Sequence, residues 1–102
     1  MTTTLNNIEY LEEQFEKLDK FIRKNNLDCE YDGGGVIEES GGTEVYMNED
    51  YKVMVGIEVG EDGEGDLYYV TVFERFDNYE TVDKTVKSLQ SVKNNLKKYF
   101  RR

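Results

Sequence analysis

Residues 51–59 alternate without a fault: Tyr51, Val53, Val55, Ile57 and Val59 fall on one side, and Lys52, Met54, Gly56 and Glu58 on the other. A period of two marks a strand with one buried face, because successive side chains of an extended chain point to opposite sides. Residues 67–76 repeat the pattern with a difference. Tyr68, Val70, Val72 and Phe76 share one side and Leu67, Tyr69 and Phe73 the other, so both sides are apolar. Any fold of this chain has to set these two segments in a sheet and find cover for at least one face.

The flanking segments narrow the choice. Leu5, Ile8, Leu11, Phe15, Leu18 and Ile22 recur at spacings of three and four, which predicts an amphipathic helix over residues 5–26. Asn6 and Glu9 have the spacing of a capping box, and Leu5 is placed to staple onto Tyr10. Arg23 and Lys24 suit the negative end of the helix dipole, and Asn25-Asn26 offer a left-handed stop. Leu27, Cys29 and Tyr31 then alternate with acids as a short half-buried strand, residues 27–32. Gly33-Gly34-Gly35 is expected to break it as a flexible loop, and Gly41-Gly42 to break the chain again after Val36-Ile37-Glu38-Glu39. Residues 43–47 pair with 51–59 as a hairpin turned at Asn48-Glu49-Asp50, and residues 60–66 form the turn before 67–76. Val82, Val86, Leu89, Val92, Leu96, Tyr99 and Phe100 trace a closing helix over 79–101, capped by Asp77 or Asn78.

The resulting expectation is a single α+β domain over residues 1–102. It is a two-layer sandwich of an N-terminal helix, a three- to four-stranded antiparallel sheet and a C-terminal helix, with both helices on one sheet face. The other face then carries Met54, Tyr69 and Phe73, with Met47 beside them. Either the glycine-rich segment folds over it or a partner does.

Composition removes much chemistry. The chain has no histidine and one cysteine, so Ser–His and Cys–His catalysis, iron–sulfur clusters and the commonest zinc sites are excluded. Cys29 has no disulfide partner within the chain, which suits a reducing compartment, and is read as a strand residue. No phosphate loop or dinucleotide fingerprint is present. A calcium loop counted from Asp62 would put Leu67 at its sixth position and Phe73 at its twelfth, where Gly and Glu are required. No cofactor, metal or catalytic activity is expected. The first residues show no basic stretch followed by an apolar one, and the longest apolar run, 53–57, is far below the ~20 residues that cross a bilayer. A cytoplasmic protein without membrane contact is the expectation.

The net charge of −9 is unevenly placed. Residues 28–80 hold sixteen acids against Lys52 and Arg75, whereas residues 81–102 hold seven bases against Asp83. Such a field favours a basic protein surface as partner and disfavours nucleic acid at the acidic face. Glu38, Glu39, Glu44, Glu49, Asp50, Glu61, Asp62, Glu64 and Asp66 fall near the loops, where carboxylates can take the place of phosphates. Met54, Tyr69 and Phe73 supply apolar anchors. In size, charge and element order the chain resembles the small acidic phage-encoded inhibitors, among them anti-CRISPR proteins. The resemblance implies a protein of the host cytoplasm that inhibits a nucleic-acid-binding enzyme such as a Cas nuclease by occupying its DNA site. The basic residues from Lys84 to Arg102 depart from an all-acidic mimic. Two other readings suit the same residues: an immunity protein or antitoxin that neutralises a basic toxin, and a chaperone-like adaptor that forms a homodimer through the apolar sheet face.

Overall fold

Four valines decide the architecture. In the computed structural model, which describes residues 4–38, 40–60, 65–76 and 79–101, Val53, Val55, Val70 and Val72 have no exposed surface. They occupy the middle of a five-stranded antiparallel sheet: β1 (Glu30–Glu38), β2 (Gly41–Met47), β3 (Tyr51–Glu58), β4 (Leu67–Glu74) and β5 (Tyr79–Val86). The strands lie in chain order, each paired with the next. The register sets Tyr46 against Val53, Val53 against Val72 and Val55 against Val70, so all of them share one face. Two helices, α1 (Thr4–Lys24) and α2 (Leu89–Phe100), cover that face. α1 packs on β1 and β2, α2 on β3 and β4, and the helices touch each other. Leu11, Phe15, Leu18 and Ile22 of α1 and Val92, Leu96 and Phe100 of α2 close the core against the valines. Each such side chain contributes about 1.5–3 kcal/mol on full burial.

The helix–sheet–helix α+β sandwich is therefore the observed fold, with five strands in place of three or four. The added strand corrects the expected helix over 79–101, whose first half is β5. Val82 and Val86 are four residues apart, a spacing that suits one helix face and also two steps of a strand. The β-branched run Thr81-Val82 and Thr85-Val86 favours the extended form. The outer row of β4 peptide groups also needs a partner, which β5 supplies through pairs such as Val72 with Val82 and Tyr68 with Val86. The helix proper is capped by Ser88, whose hydroxyl accepts from Ser91 N at 3.1 Å. Asp77 and Asn78, the expected caps, lie outside the described residues.

Further differences concern ends. α1 begins at Thr4, so position 6 lies inside the helix and not at its N-cap. Its C-terminus matches expectation: Asn26 has φ 50°, and bonds from Leu27 N to Ile22 O and from Asn26 N to Arg23 O close the helix in a Schellman motif. β4 stops at Glu74, and Phe76, expected on its core side, is fully exposed. The β2–β3 turn is an Asx turn in which Asn48 Oδ1 accepts from Asp50 N and Tyr51 N, both at 2.8 Å. Arg75 ties the neighbouring turn to it by donating to Asn48 O at 2.6 Å.

The glycine segment does not break the chain. Gly33, Gly34 and Gly35 lie within β1 and pair with Val45, Glu44 and Thr43 of β2, and Gly41-Gly42 open β2 itself. Gly34 has φ +96°, and a Cβ there would sit 2.1 Å from the Thr43 carbonyl oxygen. Only glycine meets both demands. Gly34→Ala is expected to cost about 2–3 kcal/mol, from backbone strain and the enforced retreat of β1, which lowers Tm by about 10–20 °C in a domain of this size. Gly65→Ala, with nothing within 4 Å of its added carbon, is expected to change stability by less than about 0.5 kcal/mol. Thermal denaturation of the two variants checks the contrast.

Candidate functional site

Because both helices lie on one side, the sheet has an open face. The register aligns on it Val45, Met54 and Thr71 in one row, Thr43, Gly56 and Tyr69 in the next, and Met47, Lys52 and Phe73 in a third. Met54, Tyr69 and Phe73, expected together from sequence, are thus together, each partly exposed. The glycine segment, being the edge strand β1, does not fold over them. Tyr69 donates to Glu58 Oε2 at 2.8 Å, a bond to a carboxylate that raises the phenol's pKa. The Lys52 ammonium stands 6.0 Å from the Phe73 ring centre. Gly41, Thr43 and Gly56 leave a depression of about 960 Å³ at the end of this face that carries Glu38, Glu58 and Leu67.

The acids do not form one patch. In the meander, Glu38, Glu58 and Asp66 lie at one end of the sheet and Glu49, Asp50 and Glu74 at the other. Asp66 is occupied internally. Its Oδ1 accepts from Gly60 N at 3.0 Å and its Oδ2 from the Tyr10 hydroxyl, so it clamps the β3–β4 connection to α1. Burial, with this carboxylate, pushes the Tyr10 phenol well above its ordinary pKa. Glu49 and Asp50 adjoin Glu74 and Arg75 in a shallow hollow with Tyr51 and Phe76. Glu39, Glu61, Asp62 and Glu64 lie outside the described residues.

A different group of acids converges beside α1, joining the expected Glu38 and Glu44 to Glu12, Glu16 and Asp19, which the sequence reading did not single out. Between α1 and β1 runs a groove of about 700 Å³ walled by Glu12, Glu16 and Asp19 of α1, Glu38 of β1 and Glu44 of β2. Its apolar lining comes from Ile8, Phe15, Tyr31, Val36, Ile37 and Tyr46, and no basic side chain among the described residues lines it. Ile37 is 74% exposed, held out at an irregularity in the β1–β2 register between Val36 and Glu38. Tyr31 and Tyr46 meet edge to face, with ring centres 6.3 Å apart, and the Tyr31 hydroxyl donates to Gly34 O. Lys20 and Arg23 approach Glu16 and Asp19 at 3.1 and 2.9 Å from the outer side of the helix. Such exposed i,i+4 pairs are worth about 0.3–0.5 kcal/mol and yield readily to a stronger cation.

The signal for this groove was present in sequence. Glu12, Glu16 and Asp19 stand at i, i+4 and i+7, one stripe bordering the apolar face. Glu44 shares the inward parity of Tyr46. Balanced counts of acids and bases over residues 1–27 concealed the stripe.

Glu44 is the most perturbed carboxylate among the described residues. Burial raises its pKa, the nearby Asp19 charge adds to the rise, and a hydrogen bond from the Tyr46 hydroxyl opposes it at 2.6 Å. No protein-family model, curated protein or solved structure matches the chain.

The Glu44 shift has a direct consequence for stability. A carboxyl group whose folded pKa lies above its unfolded value leaves the folded state holding more protons, so stability falls as pH rises through that window. Glu44→Gln, which keeps an acceptor for Tyr46, is expected to raise Tm at pH 7. The gain should vanish by about pH 3.5, below the ordinary Glu value of about 4.3, where both states of the wild type are neutral. Melting curves at the two pH values read the difference.

Proposed function

We propose that this protein binds and inhibits a nucleic-acid-binding enzyme, of nuclease type, by offering carboxylates where the enzyme's basic groove expects phosphates. The observation that carries the reading is the α1–β1 groove, in which five carboxylates from three elements border an apolar floor without a basic side chain. Successive acids Glu12, Glu16 and Asp19 rise roughly 5–6 Å apart along α1, a spaced anionic row beside exposed Glu30, Asp32 and Glu38 on the edge strand. The row is sparser than duplex DNA, which presents a charge every ~1.7 Å of axis. Tyr31 and Ile37 compensate with apolar anchoring of the kind that carries affinity at protein interfaces. The basic surface of α2, with Lys97, Lys98 and Arg101, belongs to the other helix and does not line the groove. The same geometry serves an inhibitor of a Cas nuclease and an immunity protein facing a toxic nuclease; the target's basic groove is the chemistry the two share.

The test begins with capture from a host lysate at low and high salt, followed by titration of the retained enzyme with duplex DNA as competitor. Binding is expected to be mutually exclusive with DNA and to weaken steeply with salt. Glu12→Lys with Glu16→Lys should weaken it by about a hundredfold, about 2.7 kcal/mol of lost and reversed charge pairing at a close interface. A ternary complex of protein, enzyme and DNA, or indifference to the double reversal, removes the reading.

A further inference from the structure

The open sheet face is self-complementary, and we infer that it pairs with the same face of a second copy about a two-fold axis lying in the interface, perpendicular to the strands over Val55. This goes beyond the inhibitor reading and uses the opposite face of the sheet, the edge residue Glu38 bordering both the groove and the open face.

The argument rests on what β3 presents outward. In chain order its open-face residues are Lys52, Met54, Gly56 and Glu58, with the cation at one end and the anion at the other. Two in-plane two-fold axes can stack such a face on itself. An axis along the strands sets Lys52 on Lys52 and Glu58 on Glu58. The perpendicular axis reverses one β3 over the other, so Lys52 meets Glu58 of the second copy at both ends. Charge selects the second.

Size agrees with charge. The same operation sets Met54 opposite Gly56. On β2 it sets Met47 opposite Gly41 and Val45 opposite Thr43, following the register of β2 on β3. On β4 it sets Phe73 opposite Leu67 and Tyr69 opposite Thr71. Met47, Met54 and Phe73 crowd the half near Lys52, while Gly41 and Thr43 leave room in the half near Glu58, part of the ~960 Å³ depression that Tyr69 and Lys87 also line. Gly56 is flanked by the Tyr69 ring, 3.4 Å from where a Cβ would sit, so the hollow that a second copy fills is the one at Gly41, opposite Met47.

Area and long-range charge are compatible with pairing. Five strands ~4.8 Å apart and about seven residues long give a flat footprint of roughly 400–500 Å² per copy, near 1,000 Å² in total, the lower bound for a specific interface. Aligned sheets stack at about 30° and ~10 Å, which splays the corners and relaxes the one adverse match, Glu30 against Glu38 on the edge strand. The groove acids Glu12, Glu16 and Asp19 lie on the helix side, about a sheet thickness from the contact, where salt at 0.15 M screens them over ~8 Å.

The test is sedimentation equilibrium at 0.15 M salt over 5–500 µM, with circular dichroism confirming that each variant folds. The wild type is expected to be a dimer in the upper part of that range. Met54→Glu should weaken association by at least about tenfold, as should Lys52→Glu and Glu58→Lys singly, because each sets like charges together twice per dimer. The double variant Lys52→Glu/Glu58→Lys restores opposite charges under the perpendicular axis alone, and its dimer is expected to return to within about threefold of wild type. A wild type that stays monomeric throughout the range overturns the inference and leaves the face to a different protein. Failure of the swap to restore a dimer that each single change weakened overturns the two-fold arrangement. Binding to a nucleic-acid enzyme through the groove is read separately and is unaffected by either outcome.

Discussion

One-sided burial governs this molecule. The side chains of Val53, Val55, Val70 and Val72 are sealed by two helices that both approach from the same direction. The described residues form two helices, and each covers about two strands, so five strands exhaust the cover on one side. The topology permits this: a meander of hairpins never carries the chain across the sheet between strands, so the helices at its two ends can land together. Everything functional in the molecule follows from which surfaces that arrangement leaves uncovered.

It leaves two. One is the outer sheet face, apolar at its centre and charged with opposite signs at the two ends of β3. The other is the seam where α1 overhangs the edge strand β1. Edge strands invite unwanted pairing, and proteins blunt them with charge and irregular backbone. β1 uses both, with Glu30, Asp32 and Glu38 exposed along it and register irregularities after Tyr31 and after Val36. The glycines that allow this twist also let β1 pass close to β2 at Gly34. The same segment that protects the edge therefore shapes one wall of the groove and pushes Ile37 outward.

Much of the fold was legible because the signals were local and redundant. The strict alternation of residues 51–59, the apolar stripe of α1 and the Asn26 stop each state their structure within a dozen residues. The misread parts are those where a local signal is ambiguous and a distant demand decides. Val82 and Val86 satisfy either period, and what settles β5 is the need of β4 for a partner on its outer row, a need invisible in residues 79–86. Three consecutive glycines read as a break, yet all three pair within β1 at positive φ, and the Thr43 carbonyl beside Gly34 shows that this one admits a neighbouring strand. The candidate site was legible in its apolar half and in Glu38 and Glu44, but not in the acids of α1. Met54, Tyr69 and Phe73 share a face by parity within paired strands. The carboxylates were sought in the turns because acids are dense there, whereas the groove gathers Glu12, Glu16, Asp19, Glu38 and Glu44 from three elements that only the packing of α1 brings together.

The two surfaces lie on opposite sides of the sheet, and this bears on how they act together. Pairing of sheet faces would turn both α1–β1 grooves outward, away from the dimer contact and from each other. The resulting particle has two anionic grooves pointing in opposite directions, so a single basic channel cannot engage both. Two enzymes, or two copies within one assembly, can. Bivalence of that kind raises apparent affinity only where the second site lies within reach of the first. On the proposed reading, for a lone target the groove of one subunit would do all the binding, and the sheet contact would add stability by removing apolar area from water. The proposed pairing would hold the apolar face to itself and leave the anionic seam of a net −9 chain free for a cationic surface.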